Sequence, residues 1–237
     1  MSGCGWLIPY HIGVLKCLVD AKMILKEGDT VFSGVSGGAI VIVGFSCGLN
    51  LEDVSEMLRC ASDRVRRDGR FVGRVGATLK DVLNDVLPEN AHELARGKCN
   101  VGVLTATCKY KSFSEFESKQ DLIDACLASS HIPIYMDGRF LFTWRKKRWF
   151  DGGLLDVLPP DSGEEIKSLP YPILAKLRRD RDRIVTPTHS TFSLFRELLP
   201  YSFVPPPSSS NGDWFSRLDE CGRKDTERFL VERDMAT

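Results

Sequence analysis

The amino-acid sequence predicts an α/β protein in which a mostly parallel central sheet lies between two layers of helices. Short segments of strand composition alternate along the chain with longer segments of helical periodicity, an alternation typical of three-layer α/β/α sandwiches. One helical segment, residues 37–47, is apolar on all sides, as expected for a helix inside a core. The 237 residues, of which 43% are hydrophobic, suffice for a single domain over residues 1–237.

The first predicted elements are a helix, a strand and a second helix. Pro9 suits the first turn of a helix over residues 9–25, which has one apolar face. Residues 30–33 are partly β-branched, which favours a buried strand. The apolar helix 37–47 follows and is stopped by Gly48, because glycine commonly follows a helix C-terminus.

The middle of the chain continues the alternation of helices and strands. The spacing of apolar residues predicts three helices, which cover residues 51–67, 76–87 and 119–129. Residues 101–107 have the composition and length of a strand. Residues 140–143 and 148–150 are expected to pair as a hairpin.

The last part of the chain is predicted to contain two more strands, a loop and a final helix. Residues 173–177 and 184–185 have strand composition. The Pro- and Ser-rich segment 205–212 is expected to be a loop. It joins the final helix, residues 213–232, to the rest of the domain.

Composition and charge narrow the possible functions. The 32 basic and 32 acidic side chains cancel, so the net charge does not indicate a nucleic-acid partner. The eight cysteines form no CxxC pair and no Cys/His cluster at zinc-ligand spacing, which favours free thiols in a reducing, cytoplasmic compartment without a bound metal. A signal peptide is not indicated. The longest apolar run, residues 39–45, is far shorter than the roughly 20 residues of a membrane-spanning helix. We therefore expect a soluble or peripheral protein.

A candidate nucleophile lies in Gly34-Val35-Ser36-Gly37-Gly38, between a predicted strand and a predicted helix. A serine on such a turn needs small neighbours because the backbone reverses sharply, and the following helix directs its positive end towards developing negative charge. The alternative is a glycine-rich turn with an incidental serine. The strand-turn-helix context favours the nucleophile elbow.

A second glycine-rich segment, Gly3-Cys4-Gly5, lies just before the first helix. Consecutive backbone N–H groups at such a position can bind an oxyanion, and glycine removes side chains that would block the approach. A nucleotide phosphate loop is a weaker interpretation because the Gly-Lys-Ser/Thr pattern is missing. A simple tight turn is the remaining alternative.

A candidate base lies in Asp151-Gly152-Gly153, which follows an aromatic strand. An aspartate before two glycines is common in turns, but together with the two motifs above it supplies a carboxylate that could activate Ser36. The order Ser36, Asp151, His189 also matches the Ser-Asp-His order of α/β-hydrolases. We favour the pair without histidine, because His189 lies in a Thr-rich loop without a recognisable pattern.

In combination, these motifs resemble the patatin-like phospholipases, especially the branch of that family that contains triacylglycerol lipases. The three segments resemble, in chain order, the family's oxyanion loop, nucleophile elbow and catalytic Asp-Gly motif. Further similarity lies outside them, in residues 10–14, 128–133 and 222–230. The resemblance therefore extends over nearly the whole chain and implies a patatin-like fold.

The resemblance implies a lipid acyl ester hydrolase of the triacylglycerol lipase or phospholipase A type. Ser36 would attack the ester carbonyl, Asp151 would accept its proton, and no histidine or cofactor would be needed. The backbone amides of the oxyanion hole would come from Gly3, Cys4 and Gly5. Glycines would support the elbow and the turn, namely Gly34, Gly37, Gly38, Gly152 and Gly153.

The resemblance also implies the partners of the protein. They would be a lipid ester and a membrane or lipid-droplet surface, and no nucleic acid. Two alternatives remain open. In a transacylase or acyltransferase, an alcohol would replace water, and in an inactive lipid-binding regulator no reaction would occur.

Two departures from the family pattern lie near the oxyanion loop. Related lipases usually have a further glycine two residues after the aromatic-Leu step, where this chain has Ile8 and Pro9. The bulk of Ile8 could narrow the loop or reshape the acyl entrance. Only Met1 and Ser2 precede the loop, so the strand that normally leads into it is expected to be truncated. The acyl chain is expected to contact apolar residues near the helix after Ser36, with Phe45, Ile132, Ile134 and Leu154 as candidates.

Overall fold

The structure is a computed structural model that describes residues 1–24, 30–67, 69, 71–160, 165–187, 197–207 and 213–234. The α-helices in these ranges are α1 (Ile8–Asp20), α2 (Gly37–Ser46), α3 (Leu51–Arg67), α4 (Val75–Val86), α5 (Ala91–Ala95), α6 (Lys119–Ser129), α7 (Pro172–Lys176), α8 (Leu199–Phe203) and α9 (Trp214–Asp234). The strands are β1 (Phe32–Val35), β2 (Cys99–Thr105), β3 (Tyr110–Phe113), β4 (Phe142–Trp144), β5 (Lys147–Asp151), β6 (Lys167–Ser168) and β7 (Ile184–Val185).

The main sheet is mixed and is built around β2. Strand β1 runs parallel to β2, whereas β3 and β5 run antiparallel to β2, and β4 pairs with β5. A separate pair, β6 and β7, is parallel. The α/β class is confirmed. The sheet has more antiparallel pairs than the alternation of elements indicates. The pairs β2–β3 and β4–β5 are joined by turns too short for a parallel crossover, and β5 also runs antiparallel to β2.

Met1 and Ser2 lie beside β1, where a truncated first strand is expected. The Val35 N–H donates to the Met1 carbonyl (3.3 Å), and the Ser2 N–H donates to the Ser168 carbonyl of β6 (3.1 Å). These two residues therefore link the main sheet to the β6–β7 pair. A cavity of about 350 Å³ adjoins Met1 between β1 and residues 165–167.

Helix α2 lies in the centre of the core, as its apolar sequence predicts. Val41, Ile42 and Val43 have no exposed surface. Helix α9 packs closely on α1, since a Cβ atom on Gly13 would lie 1.9 Å from the Asp219 carbonyl oxygen. The final helix thus covers the first helix, and glycine permits this close approach.

The prediction of a strand over residues 173–177 is wrong, because most of this segment belongs to α7. Pro172 lies in the first turn of the helix, where its fixed φ is favourable. Ala175 is buried, whereas Ile173 and Leu177 are 49% and 78% exposed, so only one side of the segment contacts the core. A short apolar run of this kind has no periodicity that distinguishes a helix from a strand.

The other predicted elements are confirmed with shifts at their ends. Helix α1 ends at Asp20, and residue 25 of the predicted helix lies outside the described residues. The predicted loop 205–212 is described only to residue 207, and its Pro206 carbonyl accepts a hydrogen bond from the Ser62 hydroxyl (2.6 Å). Four short elements were not predicted, namely α5, β3, β6 and α8, which have only 5, 4, 2 and 5 residues. The assignment of the whole chain to one domain stays a prediction.

Candidate active site

Strands β1 and β5 converge at neighbouring positions on β2. Val35, the last residue of β1, lies opposite Gly102, and Asp151, the last residue of β5, lies opposite Val103. Strand β3 pairs with residues 101–104 of β2. Because a strand has only two edges, β1 and β5 share the other edge, and their C-terminal ends point at each other. The elbow after β1 and the turn after β5 therefore meet.

Ser36 occupies the elbow in a strained backbone conformation. Its φ is +53° and its ψ is −128°, a region that residues other than glycine enter at a cost of about 1–3 kcal/mol. It is 6% exposed and immediately precedes α2, whose N-terminus begins at Gly37. The positive end of a buried ten-residue helix thus lies next to the hydroxyl.

The three glycines of the elbow contact neighbouring atoms too closely to be replaced. A Cβ atom on Gly34 would lie 2.8 Å from the Gly38 carbonyl oxygen. A Cβ atom on Gly38 would lie 2.4 Å from the Ser2 carbonyl oxygen, and one on Gly37 would lie 2.6 Å from the Cys4 Sγ. The elbow therefore packs directly against the glycine-rich loop that contains Gly3, Cys4 and Gly5.

Asp151 is a buried carboxyl group at the end of β5, where the turn after β5 meets the Ser36 elbow. It is 4% exposed, and burial raises its pKa from 3.8 to about 6. Hydrogen bonds from the Ser36 hydroxyl and the Gly153 N–H lower the pKa and offset part of this effect, and the Gly153 nitrogen lies 2.7 Å from Asp151 Oδ1. Such a carboxyl group is mostly ionised at neutral pH and can accept a proton from a neighbouring hydroxyl.

The turn after Asp151 is held by the segment that follows α6. The Asp151 N–H donates to the His131 carbonyl (3.0 Å), and the Gly152 N–H donates to the Ser129 carbonyl (3.0 Å). A Cβ atom on Gly152 would lie 2.2 Å from the Gly102 carbonyl oxygen. Glycine is therefore required here for packing on β2, in addition to any turn chemistry.

The glycine-rich loop lies against the elbow, but its three amides differ. The Gly3 N–H donates to the Val157 carbonyl (2.7 Å), so this amide anchors the loop. Gly5 has a φ of +54°, and a Cβ atom there would lie 1.8 Å from the Ser202 carbonyl oxygen. Cys4 is 2% exposed, and burial raises the pKa of its thiol, which keeps it neutral. The Cys4 and Gly5 amides remain as candidates to bind an oxyanion.

A small apolar cavity adjoins Ser36. Its volume is about 60 Å³, and its walls come mainly from α2, α3, α4 and the glycine-rich loop. Apolar residues dominate these walls, among them Ile8, Ile40, Leu58, Val65 and Leu79. Of the acyl-contacting residues expected from the sequence, Ile132 lines the cavity, but Phe45, Ile134 and Leu154 do not. Ile134 and Leu154 are 57% and 49% exposed, because they belong to surface turns. The larger cavity beside Met1 does not include Ser36.

His11 occupies a structural position next to the glycine-rich loop. His11 has no exposed surface, and its ring nitrogens lie 2.6 Å from the Ser168 Oγ and 3.0 Å from the Ser2 carbonyl oxygen. Burial lowers its pKa to about 3, so the ring is neutral and ties the loop to β6. His189 lies outside the described residues. Within the described ranges, no group of three or more His, Cys, Asp or Glu side chains is arranged to bind a metal.

Ser129, to which no sequence motif assigns a role, contacts both halves of the site. Its hydroxyl accepts a hydrogen bond from the Ser36 N–H (2.8 Å), and its carbonyl binds the turn after Asp151. The only signal in the sequence was the family resemblance of residues 128–133, which gave no role to an individual side chain.

The fold and this site define an α/β protein with a serine elbow beside a buried carboxyl group. Residues 1–162 match the model of the patatin-like phospholipase family, and the chain belongs to this family. Members of the family act on the acyl groups of lipids. In the part of the chain that the structure describes, no helix has the length and apolar character to cross a membrane.

Two human relatives and one solved structure illustrate the similarity. The 1-acylglycerol-3-phosphate O-acyltransferase PNPLA3 of Homo sapiens is 31% identical over 249 residues, which cover 98% of this chain and 50% of the relative. The patatin-like phospholipase domain-containing protein 4 of Homo sapiens is 31% identical over 164 residues, which cover 67% of this chain and 64% of the relative. The chain thus spans less than two thirds of the length of either relative. VipD from Legionella pneumophila shares the fold with a TM-score of 0.57 at 14% identity, over 98% of this chain and 66% of that one.

Proposed function

We propose that this chain hydrolyses acyl esters of lipids through a Ser36–Asp151 dyad and a covalent acyl-enzyme. The observation that carries the proposal is that the Ser36 elbow and the Asp151 turn meet where β1 and β5 end opposite adjacent residues of β2, and that Asp151 is a buried carboxyl group whose pKa is raised by burial to about 6. A nucleophile and a base within hydrogen-bond reach are the minimum requirement for this chemistry. The elbow and the adjoining apolar cavity support the same function.

In the acylation step, the Ser36 Oγ attacks the ester carbonyl carbon while its proton passes to the Asp151 carboxylate. The tetrahedral intermediate carries its negative charge on the former carbonyl oxygen. We expect the amides of Cys4 and Gly5 and the N-terminus of α2 to stabilise this charge. Collapse of the intermediate breaks the ester C–O bond, and Asp151 returns the proton to the departing alcohol.

In the deacylation step, Asp151 accepts a proton from water, whose oxygen attacks the acyl-enzyme carbonyl. The second intermediate releases the free fatty acid, and the proton returns to the Ser36 oxygen. Asp151 must therefore be ionised at the start of both steps. With a pKa of about 6, it is ionised at neutral pH and still basic enough to accept a proton.

The apolar cavity beside Ser36 is proposed to receive the acyl chain. At about 60 Å³, it is smaller than an engineered protein cavity of about 150 Å³ that binds benzene. A long fatty acyl chain would therefore need the walls to move or would extend from the cavity to the surface. Ile8, which is 3% exposed and forms part of the wall, occupies space that a glycine would leave free.

Active-site labelling tests the dyad. The wild-type chain should react with a fluorophosphonate probe and hydrolyse p-nitrophenyl esters, whereas Ser36→Ala should do neither. Asp151→Asn should bind substrate but lose activity by about 10²-fold to 10⁴-fold, because general base catalysis is lost. A folded wild-type chain without labelling or hydrolysis would refute the enzyme function and favour an inactive lipid-binding regulator.

A transacylase is the second candidate for the same site. The support is that a relative covering nearly the whole chain carries the name of an acyltransferase. In this case an alcohol would take the place of water in deacylation. Incubation of a labelled triacylglycerol with excess glycerol separates the two, since a hydrolase forms mainly fatty acid and a transacylase mainly new glyceride.

We also propose that the protein works in the cytoplasm as a peripheral protein on a membrane or lipid-droplet surface. Exposed apolar side chains lie close in sequence to the site, including Leu154 and Leu155 after the Asp151 turn (49% and 64% exposed). Flotation with phosphatidylcholine vesicles that contain triolein tests this. Leu155→Asp should weaken binding, whereas Val231→Asp, at a residue of α9 that is 58% exposed, serves as the control. Equal binding of both variants would contradict a docking role for Leu155.

A further inference from the structure

The last residue of α6, Ser129, has a hydrogen-bond arrangement that the dyad does not account for. It has no exposed surface. Its hydroxyl donates to the Gly102 carbonyl (2.6 Å) and accepts from the Ser36 N–H (2.8 Å). A serine hydroxyl has one proton to donate, and that of Ser129 is donated to the Gly102 carbonyl of β2. The Ser129 oxygen also accepts the hydrogen bond from the Ser36 N–H.

The backbone of the same residue reaches the other half of the site. The Ser129 carbonyl accepts from the Gly152 N–H (3.0 Å), in the residue after Asp151. Gly102 of β2 lies opposite Val35, the last residue of β1, and it is adjacent to Val103, opposite which β5 ends. One buried residue is therefore bound to the nucleophile, to the turn of the base and to the strand between them.

The Ser129 hydroxyl binds the backbone of Ser36, which has a strained conformation. The φ of +53° at Ser36 is unfavourable for a residue with a side chain. Without an acceptor, the buried Ser36 N–H would lose its partner, and nothing at this position would oppose relaxation of the elbow.

The hydrogen bonding of Ser129 differs from that of the neighbouring serine. The hydroxyl of the next residue, Ser130, is buried and has no hydrogen-bond partner among the described residues. The arrangement is therefore not a general property of hydroxyl groups at the end of α6.

We infer that Ser129 is a positioning residue, whose hydroxyl holds the Ser36 backbone and whose carbonyl holds the Asp151 turn, so that the nucleophile and base stay in contact. The inference rests on the proposed dyad. Ser129 itself takes no part in the chemical steps. Loss of the hydroxyl should reduce the rate of acylation while substrate binding in the apolar cavity is retained.

The test compares three variants. Ser129→Ala removes the hydroxyl. Ser129→Cys fills a similar volume but is a poor hydrogen-bond donor and acceptor. Ser62→Ala is the matched control, because Ser62 has no exposed surface and its hydroxyl also binds a backbone carbonyl, that of Pro206 at 2.6 Å. Each purified variant is checked by thermal unfolding, and kcat, KM and the rate of fluorophosphonate labelling are measured well below the unfolding midpoint.

We expect kcat and the labelling rate to fall about 10-fold to 100-fold in both Ser129 variants, with KM within about twofold of the wild-type value. Ser62→Ala should keep kcat within about twofold. The acid limb of the pH–rate profile should move to higher pH in Ser129→Ala, because displacement of Ser36 removes a hydrogen bond that lowers the pKa of Asp151. A role in packing alone would not move this limb.

Three results would overturn the inference. One is a kcat in Ser129→Ala within about twofold of the wild type, and another is full recovery of kcat in Ser129→Cys. The third is loss of the folded state in both Ser129 variants while Ser62→Ala stays folded, since Ser129 would then hold the fold rather than the nucleophile. Failure of the dyad itself is recognised separately, because the wild-type chain would then show neither labelling nor hydrolysis.

Discussion

The Ser202 carbonyl oxygen lies 1.8 Å from the position that a Cβ atom on Gly5 would occupy. Gly5 begins the 3₁₀ turn at the end of the glycine-rich loop, and Ser202 belongs to α8. The loop therefore packs against a helix nearly 200 residues further along the chain. Its shape depends on this contact as well as on its own sequence.

Gly5→Ala is expected to abolish ester hydrolysis and to lower the unfolding temperature. The methyl group would clash with the backbone of α8, and the positive φ of +54° adds strain of about 1 kcal/mol or more. Because α8 or the loop must move, the amides of Cys4 and Gly5 would leave the position of the oxyanion. Thermal unfolding and hydrolysis of p-nitrophenyl butyrate measure the two effects.

Gly48→Ala is the matched control for this variant. Gly48 also has a positive φ, +83°, but a Cβ atom there would meet no atom within 4 Å. We expect a loss of about 1 kcal/mol in stability and unchanged activity. Equal behaviour of the two variants would show that the contact with Ser202 does not matter.

The pH dependence of hydrolysis should follow the ionisation of Asp151. Its pKa is raised to about 6 by burial, and only the ionised form accepts the proton of Ser36. The value of kcat/KM should therefore fall below about pH 6, tenfold for each pH unit, and level off above about pH 7. A profile measured with a soluble p-nitrophenyl ester tests this. An acid limb near pH 4 would indicate a solvated carboxyl group instead.

The stability of the protein should also depend on Asp151. A carboxyl group with a raised pKa favours its neutral form in the folded state, so its stabilising contribution is complete below about pH 4 and lost as pH rises through about 6. The shift of about two pH units corresponds to at most roughly 3 kcal/mol. Asp151→Asn, which is neutral throughout, should gain stability relative to the wild type as the pH is raised from about 4 to 7. Urea unfolding at several pH values measures the difference, and a constant difference would contradict this prediction.

Ile8→Ala should shift the acyl preference towards longer chains. Removal of the side chain enlarges the cavity beside Ser36, to which Ile8 contributes a wall. The measurement is the ratio of kcat/KM for p-nitrophenyl laurate to that for p-nitrophenyl butyrate, which we expect to rise about 10-fold, as for a few extra methylene contacts. Ile12→Ala is the control, because Ile12 is fully buried in the same helix but does not line the cavity. It should lower stability without changing the ratio.

Ser36 and Asp151 could be predicted as site residues from the sequence because each belongs to a short local motif. The strand, turn and helix around Ser36 follow one another directly, and the local composition is sufficient to predict them. Ser129 could not be assigned in this way. Its hydroxyl binds the backbone of a residue 93 positions away, and this contact depends on how α6, β2 and the elbow pack.

Elements of the fold with a clear local periodicity could also be predicted from the sequence, whereas elements without one could not. The apolar helix α2 and the amphipathic helix α3 have clear periodicities, and both are confirmed. The segment 173–177 is too short for a periodicity to develop, so tertiary packing of Ala175 decides that it is helical. The pairing of β5 with the same edge of β2 as β1 is a property of the sheet and has no local signal in either strand.

The C-terminal ends of β1 and β5 face each other on one edge of β2, and this arrangement determines which insertions and deletions would leave the site intact. Since the two strands end opposite adjacent residues of β2, a slip of β5 by one residue would move Asp151 by about 3.3 Å and turn its side chain to the opposite face of the sheet. A residue inserted at Arg145 and Lys146, the hairpin turn between β4 and β5, leaves this register intact. In evolutionary terms, the chain can vary in length at this hairpin turn, while β5 itself must keep its number of residues.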